Sequence, residues 1–115
     1  QQPELPTRAE ALAHIQVLCR AYYPQFAATC PGGHMPKIAV RDMTTRWGSC
    51  SSAGNLNYNW KLVLMPERVM DYVVIHELAH RKEMNHSARF YAVVAQQMPD
   101  YKVWQSWLKE HGREY

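Results

Sequence analysis

Eleven residues, His76 to His86, read HELAHRKEMNH and hold three of the chain's six histidines. On an α-helix a step of four residues turns the chain by about 400° and raises it about 6 Å. His76 and His80 therefore stand one above the other. Both imidazoles can reach a single ion at the ~2.0–2.1 Å of a zinc–nitrogen bond. Glu77 lies about 100° round the helix, too far to be an equal ligand yet able to reach a water on that ion. Neutral imidazoles leave positive charge on zinc, which lowers the pKa of its water. A neighbouring carboxylate can take that proton and later hand it to a leaving group.

A catalytic zinc takes three protein ligands and keeps one position open. His86 is the candidate third. On an unbroken helix it would lie about 15 Å along the axis from His76, so ligation demands a break after His80 and before His86. Met84–Asn85 is the expected place, because Asn tolerates the left-handed conformation that ends helices. Glu83, Asp100 and Glu110 compete for the third position. The bland alternative is a polar helix face that happens to carry histidines. The apolar stripe on the other side and the third histidine after a break signal favour the metal, with Zn2+ the expected cofactor. Three imidazoles also accept manganese, iron, nickel or cobalt.

The elements that must position this cluster are readable in outline. Thr7 and Glu10 form a capping box, and Leu12, Ile15, Leu18, Cys19 and Tyr22 recur at helical spacing, which predicts a helix over 8–23 ending at Pro24. PGGHMP, residues 31–36, is a loop in which His34 is a solvent-exposed residue rather than a ligand. KIAVRDM, residues 37–43, predicts a strand. SSAGN reads as a turn, and alternation through Leu56, Tyr58, Trp60, Leu62 and Leu64 marks the clearest strand. Short connections imply a small, mostly antiparallel three-stranded sheet. Pro66 suits a first helical turn, with Val69, Met70, Val73, Val74 and Leu78 as the apolar stripe of a helix through 66–84. Ser87 and Asp100 can cap two C-terminal helices, the second with Val103, Trp104, Trp107 and Leu108 inward and Gly112 as its stop. The order of elements predicts an α+β fold.

A length of 115 residues suits one domain over 1–115, and the start at Gln1 suggests a piece of a longer chain. The composition, 47% hydrophobic and 20% charged, excludes a disordered chain. No apolar run approaches the ~18 residues of a membrane span. Cys19, Cys30 and Cys50 are odd in number and lack a CxxC pair, which reads as reduced thiols in a cytoplasmic protein rather than a metal site. A net charge of +3 could help an acidic partner, but no arginine-rich block or recognition motif backs nucleic-acid contact.

The stretch TTRWGSCSSAGNLNYNWKLVLMPERVMDYVVIHELAHRKEMNHSARFY, Thr44 to Tyr91, resembles the core of the YgjP-like metal-dependent hydrolases. These are zincin-type metallopeptidase domains related to the SprT-like and WLM groups. The resemblance implies His76, His80 and His86 as zinc ligands and Glu77 as catalytic base. It also implies a backing helix, a short sheet and the metal-bearing helix. The histidine spacing equals that of metzincins too, but Glu83 stands where their glycine would be, and Met98 reads as a core methionine rather than a Met-turn.

By analogy with zincin-type peptidases, RWGSC or NLNYNW could offer a strand edge to an extended substrate. Trp47 and Trp60 read as packing residues, Gly48 as a close backbone approach or bulge, and Arg46 is open between the two roles. Tyr91, Tyr101 and Asn85 are candidates for stabilising an oxyanion, though nothing selects one and the metal alone could serve. His14 and His111, on predicted helices away from the cluster, read as satisfied or solvent-exposed residues. The expected function is therefore a zinc peptidase acting on a peptide or protein. Three alternatives compete with it: zinc hydrolysis of another bond such as a nucleotide phosphoanhydride, an SprT-like protease recruited to DNA, and a metal-binding interaction module. The absence of a Gly-rich phosphate loop counts against the first, and the intact Glu77 against the last.

Overall fold

The structure is a computed structural model that describes residues 5–29 and 36–115. The first helix, α1 (Arg8–Tyr22), begins on the expected capping box: the Thr7 amide donates to Glu10 Oε1 (3.0 Å) and the Glu10 amide to Thr7 Oγ1 (3.1 Å). It buries Ala11, Ile15, Leu18 and Cys19, while Leu12 and Tyr22 are only half-buried. A 3₁₀ segment, Tyr23–Thr29, follows across Pro24. His34 and Cys30 lie outside the described residues.

Three short strands follow: β1 (Ile38–Arg41), β2 (Gly48–Cys50) and β3 (Leu56–Asn59). Their order is β1–β3–β2, with β2 antiparallel and β1 parallel to the central β3. The expectation of mostly antiparallel pairing thus holds for one of the two pairings. Between β2 and β3 the turn needs its glycine, since Gly54 sits at φ +84°.

The strand expected to run to Leu64 stops at Asn59 for a topological reason. Arg41 pairs with Asn59 and Gly48 with Tyr58, so residues 42–47 must carry the chain from one side of β3 to the other over its end. A longer β3 would occupy that path. Asn59, 2% exposed, anchors the crossing: its side-chain amide donates to the carbonyls of Met43 (2.8 Å) and Arg46 (3.0 Å). Its side-chain oxygen accepts from the Lys61 amide (3.1 Å) and so starts a 3₁₀ segment, Trp60–Leu64, that keeps Leu62 in the core.

The centre of the molecule is α2 (Glu67–Ala79), with Pro66 at its N-cap position rather than inside the first turn. Val69 through Ile75 and Glu77 through Ala79 are all buried, because α1, β2, α3 (Ala88–Gln97) and α4 (Tyr101–His111) pack round it. Tyr58 of β3, fully buried, donates its hydroxyl to the Val74 carbonyl (3.3 Å), tying sheet to helix. Ser87 caps α3 as expected, accepting from the Phe90 amide (3.3 Å). Asp100 precedes α4 but its carboxylate does not cap it. It instead accepts from Arg68 (3.0 Å) and from Trp104 Nε1 (3.0 Å). The inward face expected for α4 is only partly buried: Trp104, Trp107 and Leu108 are half-buried, and Val103 is 58% exposed. No helix among the described residues is long and apolar enough to cross a membrane.

Candidate metal centre and active site

The break required between His80 and His86 is present, one turn earlier than Met84–Asn85. The last helical residue is Ala79, and a turn through residues 80–82 follows. Left-handed Asn plays no part, since no described non-glycine residue has positive φ. The helix ends instead through a local staple: His80 Nδ1 donates to the Glu83 carbonyl (3.1 Å), a group that can only accept. From there the chain doubles back so that His86 precedes the Ser87 cap, and the start of α3 places Phe90 under the cluster.

The three imidazoles converge. Nε2 of His86 lies 3.0 Å from Nε2 of His80 and 3.2 Å from Nε2 of His76, and all three ligand atoms fall within 4.8 Å of one another. Because His80 carries its proton on Nδ1, its Nε2 presents a lone pair. His86 Nε2 has one site and cannot donate to both neighbours. At least one close nitrogen pair therefore lacks a hydrogen bond, an arrangement that a cation between them relieves. Tetrahedral ligands at ~2.0–2.1 Å stand about 3.3 Å apart, close to the two separations observed. The donor set fits a divalent ion such as zinc.

The surroundings hold the rings in place. Phe90, fully buried, lies beneath all three, with centroid distances of 4.4 Å to His80, 4.8 Å to His76 and 5.1 Å to His86. The Tyr72 hydroxyl, one turn before His76, is 3.3 Å from its Nδ1. Burial first, and then the neighbouring His80 and His86, push the His76 pKa down to about 3. Burial likewise lowers that of His80. Both are neutral near pH 7, the form a metal requires. Replacing Tyr72 by Phe should leave the fold intact and weaken metal affinity roughly tenfold to a hundredfold, the usual cost of removing a ligand's orienting partner. Titration against a chromophoric chelator measures this.

Glu77 points from the same helix into a cleft of about 530 Å³, lined also by the three histidines, Tyr72 and β2. It is 6% exposed. Burial raises its pKa to about 7, against the opposing pull of the Arg46 guanidinium. Its side chain lies against Gly48: a Cβ there would come within 2.9 Å of Glu77 Cγ. Close approach, not a bulge, is thus why glycine stands in RWGSC. Gly48→Ala should displace the carboxylate, and since misplacement by about 1 Å can lower rates ~100-fold, activity should fall by one to two orders of magnitude with metal content unchanged. Metal analysis beside steady-state kinetics checks it.

The other candidates lie apart. Asp100 is held by Arg68 and Trp104, and Glu110 lies 3.8 Å from His111. Neither they nor Glu83 lines the cleft. Tyr91, Tyr101 and Asn85 do not line it either; Tyr91 stacks on Tyr101 (5.6 Å) and on His86 (6.2 Å). His14 is exposed, and His111 pairs with Glu114 (3.2 Å). Trp47 packs against the core and lines the cleft as well, while Arg46 stands exposed at its lip. Sequence reasoning passed over Tyr72, Phe90 and Asn59. Tyr72 alone left a local signal, its spacing of four residues before His76.

A search of the curated proteins finds no match. Among solved structures the chain is similar to the crystal structure of the metallopeptidase zymogen of Pyrococcus abyssi abylysin. The TM-score is 0.68 at 22% identity, over 84% of this chain and 93% of that one. The likeness establishes a shared fold. The YgjP-like, metallopeptidase domain family matches residues 4–111. By that match the chain belongs to the YgjP-like metallopeptidase domains and is a metal-dependent peptidase.

Proposed function

We propose that the protein is a zinc-dependent peptidase in which His76, His80 and His86 hold the ion and Glu77 is the general base. One observation carries the reading: three imidazole nitrogens that cannot all satisfy one another converge beside a carboxylate in the same cleft. Zinc bound there would supply a water acidic enough to ionise near neutral pH and a Lewis acid for the scissile carbonyl.

The chain's own residues do the rest. Glu77, buried and directed into the same cleft as the three imidazoles, takes the proton of the attacking water and returns it to the departing amine. The Glu83 carbonyl and Tyr72 hold two of the imidazoles with Nε2 turned inward. An extended substrate finds its backbone partner in β2, which lines the cleft and is an edge strand among the described residues; β3 is the central strand and is paired on both sides. Arg46 at the lip favours the ionised form of Glu77. Free Cys19 and Cys50 fit a reducing, cytoplasmic setting.

The test combines metal analysis with a substrate panel. One zinc per chain and cleavage of unstructured peptides are expected. Hydrolysis of nucleotides with no peptide cleaved would overturn the assignment of the bond.

A further inference from the structure

The cleft does not end at Trp47. A second groove of about 470 Å³ shares Thr45, Arg46, Trp47 and Leu108 with it, so the two meet along one wall. Four cations from four segments converge there. Arg46 comes from the crossing loop, Lys61 from the 3₁₀ segment after β3, Lys109 from α4 and Arg113 from the 3₁₀ turn Gly112–Glu114. No Asp or Glu side chain lines it. Among the described residues the ion pairs involve only Arg68 and His111 as cations, and none of these four makes a side-chain hydrogen bond. The whole chain carries a net charge of only +3, so this concentration is local.

Solvated surface lysines commonly scatter over convex faces. These four instead line a concavity together with Trp47, Leu108 and Tyr115, where low-dielectric walls focus the field. The crossing loop that brings Arg46 here is pinned by Asn59, and Gly112 lets Trp47 lie against the end of α4: a Cβ there would meet Trp47 Nε1 at 3.2 Å. Trp47, next to Gly48 at the start of β2, lines both grooves, so the strand edge leads to this one.

We propose that the groove is a substrate subsite for acidic side chains, selecting peptides with Asp or Glu to one side of the scissile bond. That a peptide lies there rests on the peptidase reading; the charge selection does not depend on cleavage. The test therefore measures binding and cleavage separately. Binding is followed by anisotropy on zinc-loaded Glu77→Gln protein with labelled decapeptides carrying two glutamates, two glutamines or two lysines. Acidic peptide should bind about tenfold tighter than its glutamine analogue at low ionic strength, the lysine peptide weakest, with the gap closing as salt rises. Lys109→Glu/Arg113→Glu, both exposed positions, should abolish or invert the preference. The control Arg8→Glu/Arg20→Glu, the same charge change on α1, should keep it. Equal binding of the three peptides, survival of the preference in the groove variant, or displacement of the acidic peptide by an oligonucleotide that binds more tightly would overturn the proposal. Failure of wild type to cleave any peptide would instead remove the peptidase reading and leave the binding result to decide the groove.

Discussion

Glu77→Gln is expected to lower kcat by about 10²–10⁴-fold, the range that a positioned general base contributes, while metal content stays at the wild-type level. The amide keeps the shape that fits against Gly48 but cannot accept the proton of the attacking water. A second effect tests whether the carboxylate is desolvated. In the metal-free protein the Glu77 pKa is raised from 4.5 to about 7 by burial. The native state therefore holds this proton more tightly than the unfolded chain does. Stability from that proton is present below pH 4.5 and is lost as pH rises through 7, up to about 3 kcal/mol. The amide of the variant has no such proton to lose. Chelator-treated Glu77→Gln should thus gain on wild type between pH 5 and pH 8. His76, whose lowered pKa costs stability as pH falls from 6.5 towards 3, contributes alike to both proteins and cancels in the difference. Urea unfolding at the two pH values measures it; an unchanged gap would show that Glu77 is not a desolvated acid.

The other large effect is on the metal. His86→Ala should cost about 10²–10⁴-fold in zinc affinity, since a complete site is worth ~10–16 kcal/mol and one of its few ligands carries roughly a quarter to a third of it. Activity should vanish with it. The fold should survive, because His86 is exposed and its removal opens no core cavity. His80 is a poorer choice, being buried and bonded to the Glu83 carbonyl that closes the helix end. Competition titration with a chromophoric chelator reads the loss. Glu83→Gln is the matching control, expected to leave affinity unchanged because that carboxylate does not line the cleft. Wild-type affinity in His86→Ala would mean that another group closes the site.

Local chemistry is legible in the sequence. His76, Glu77 and His80 owe their relation to the helical repeat alone, and the Thr7–Glu10 box and the Ser87 cap are written within four residues of sequence. The demand for a break before His86 followed from reach. Where and how the helix breaks did not: it ends on a hydrogen bond from His80 to Glu83 rather than on a left-handed Asn85.

What the chain could not disclose by its periodicity are the relations between segments. Alternation through Leu64 continued past the true end of β3, because apolar spacing reports which residues seek the core and not what crosses above them. The stop at Asn59 depends on a loop some fifteen residues earlier in sequence. That loop also makes β3 central and leaves β2 as the edge along the cleft. Gly48 beneath Glu77 is a contact between elements distant in sequence. The four cations that meet in one groove come from elements equally far apart. Residues within a helical turn are related by backbone geometry, so their sequence determines their partnership. Residues on separate elements meet only through packing and chain crossing, which the tertiary structure alone decides.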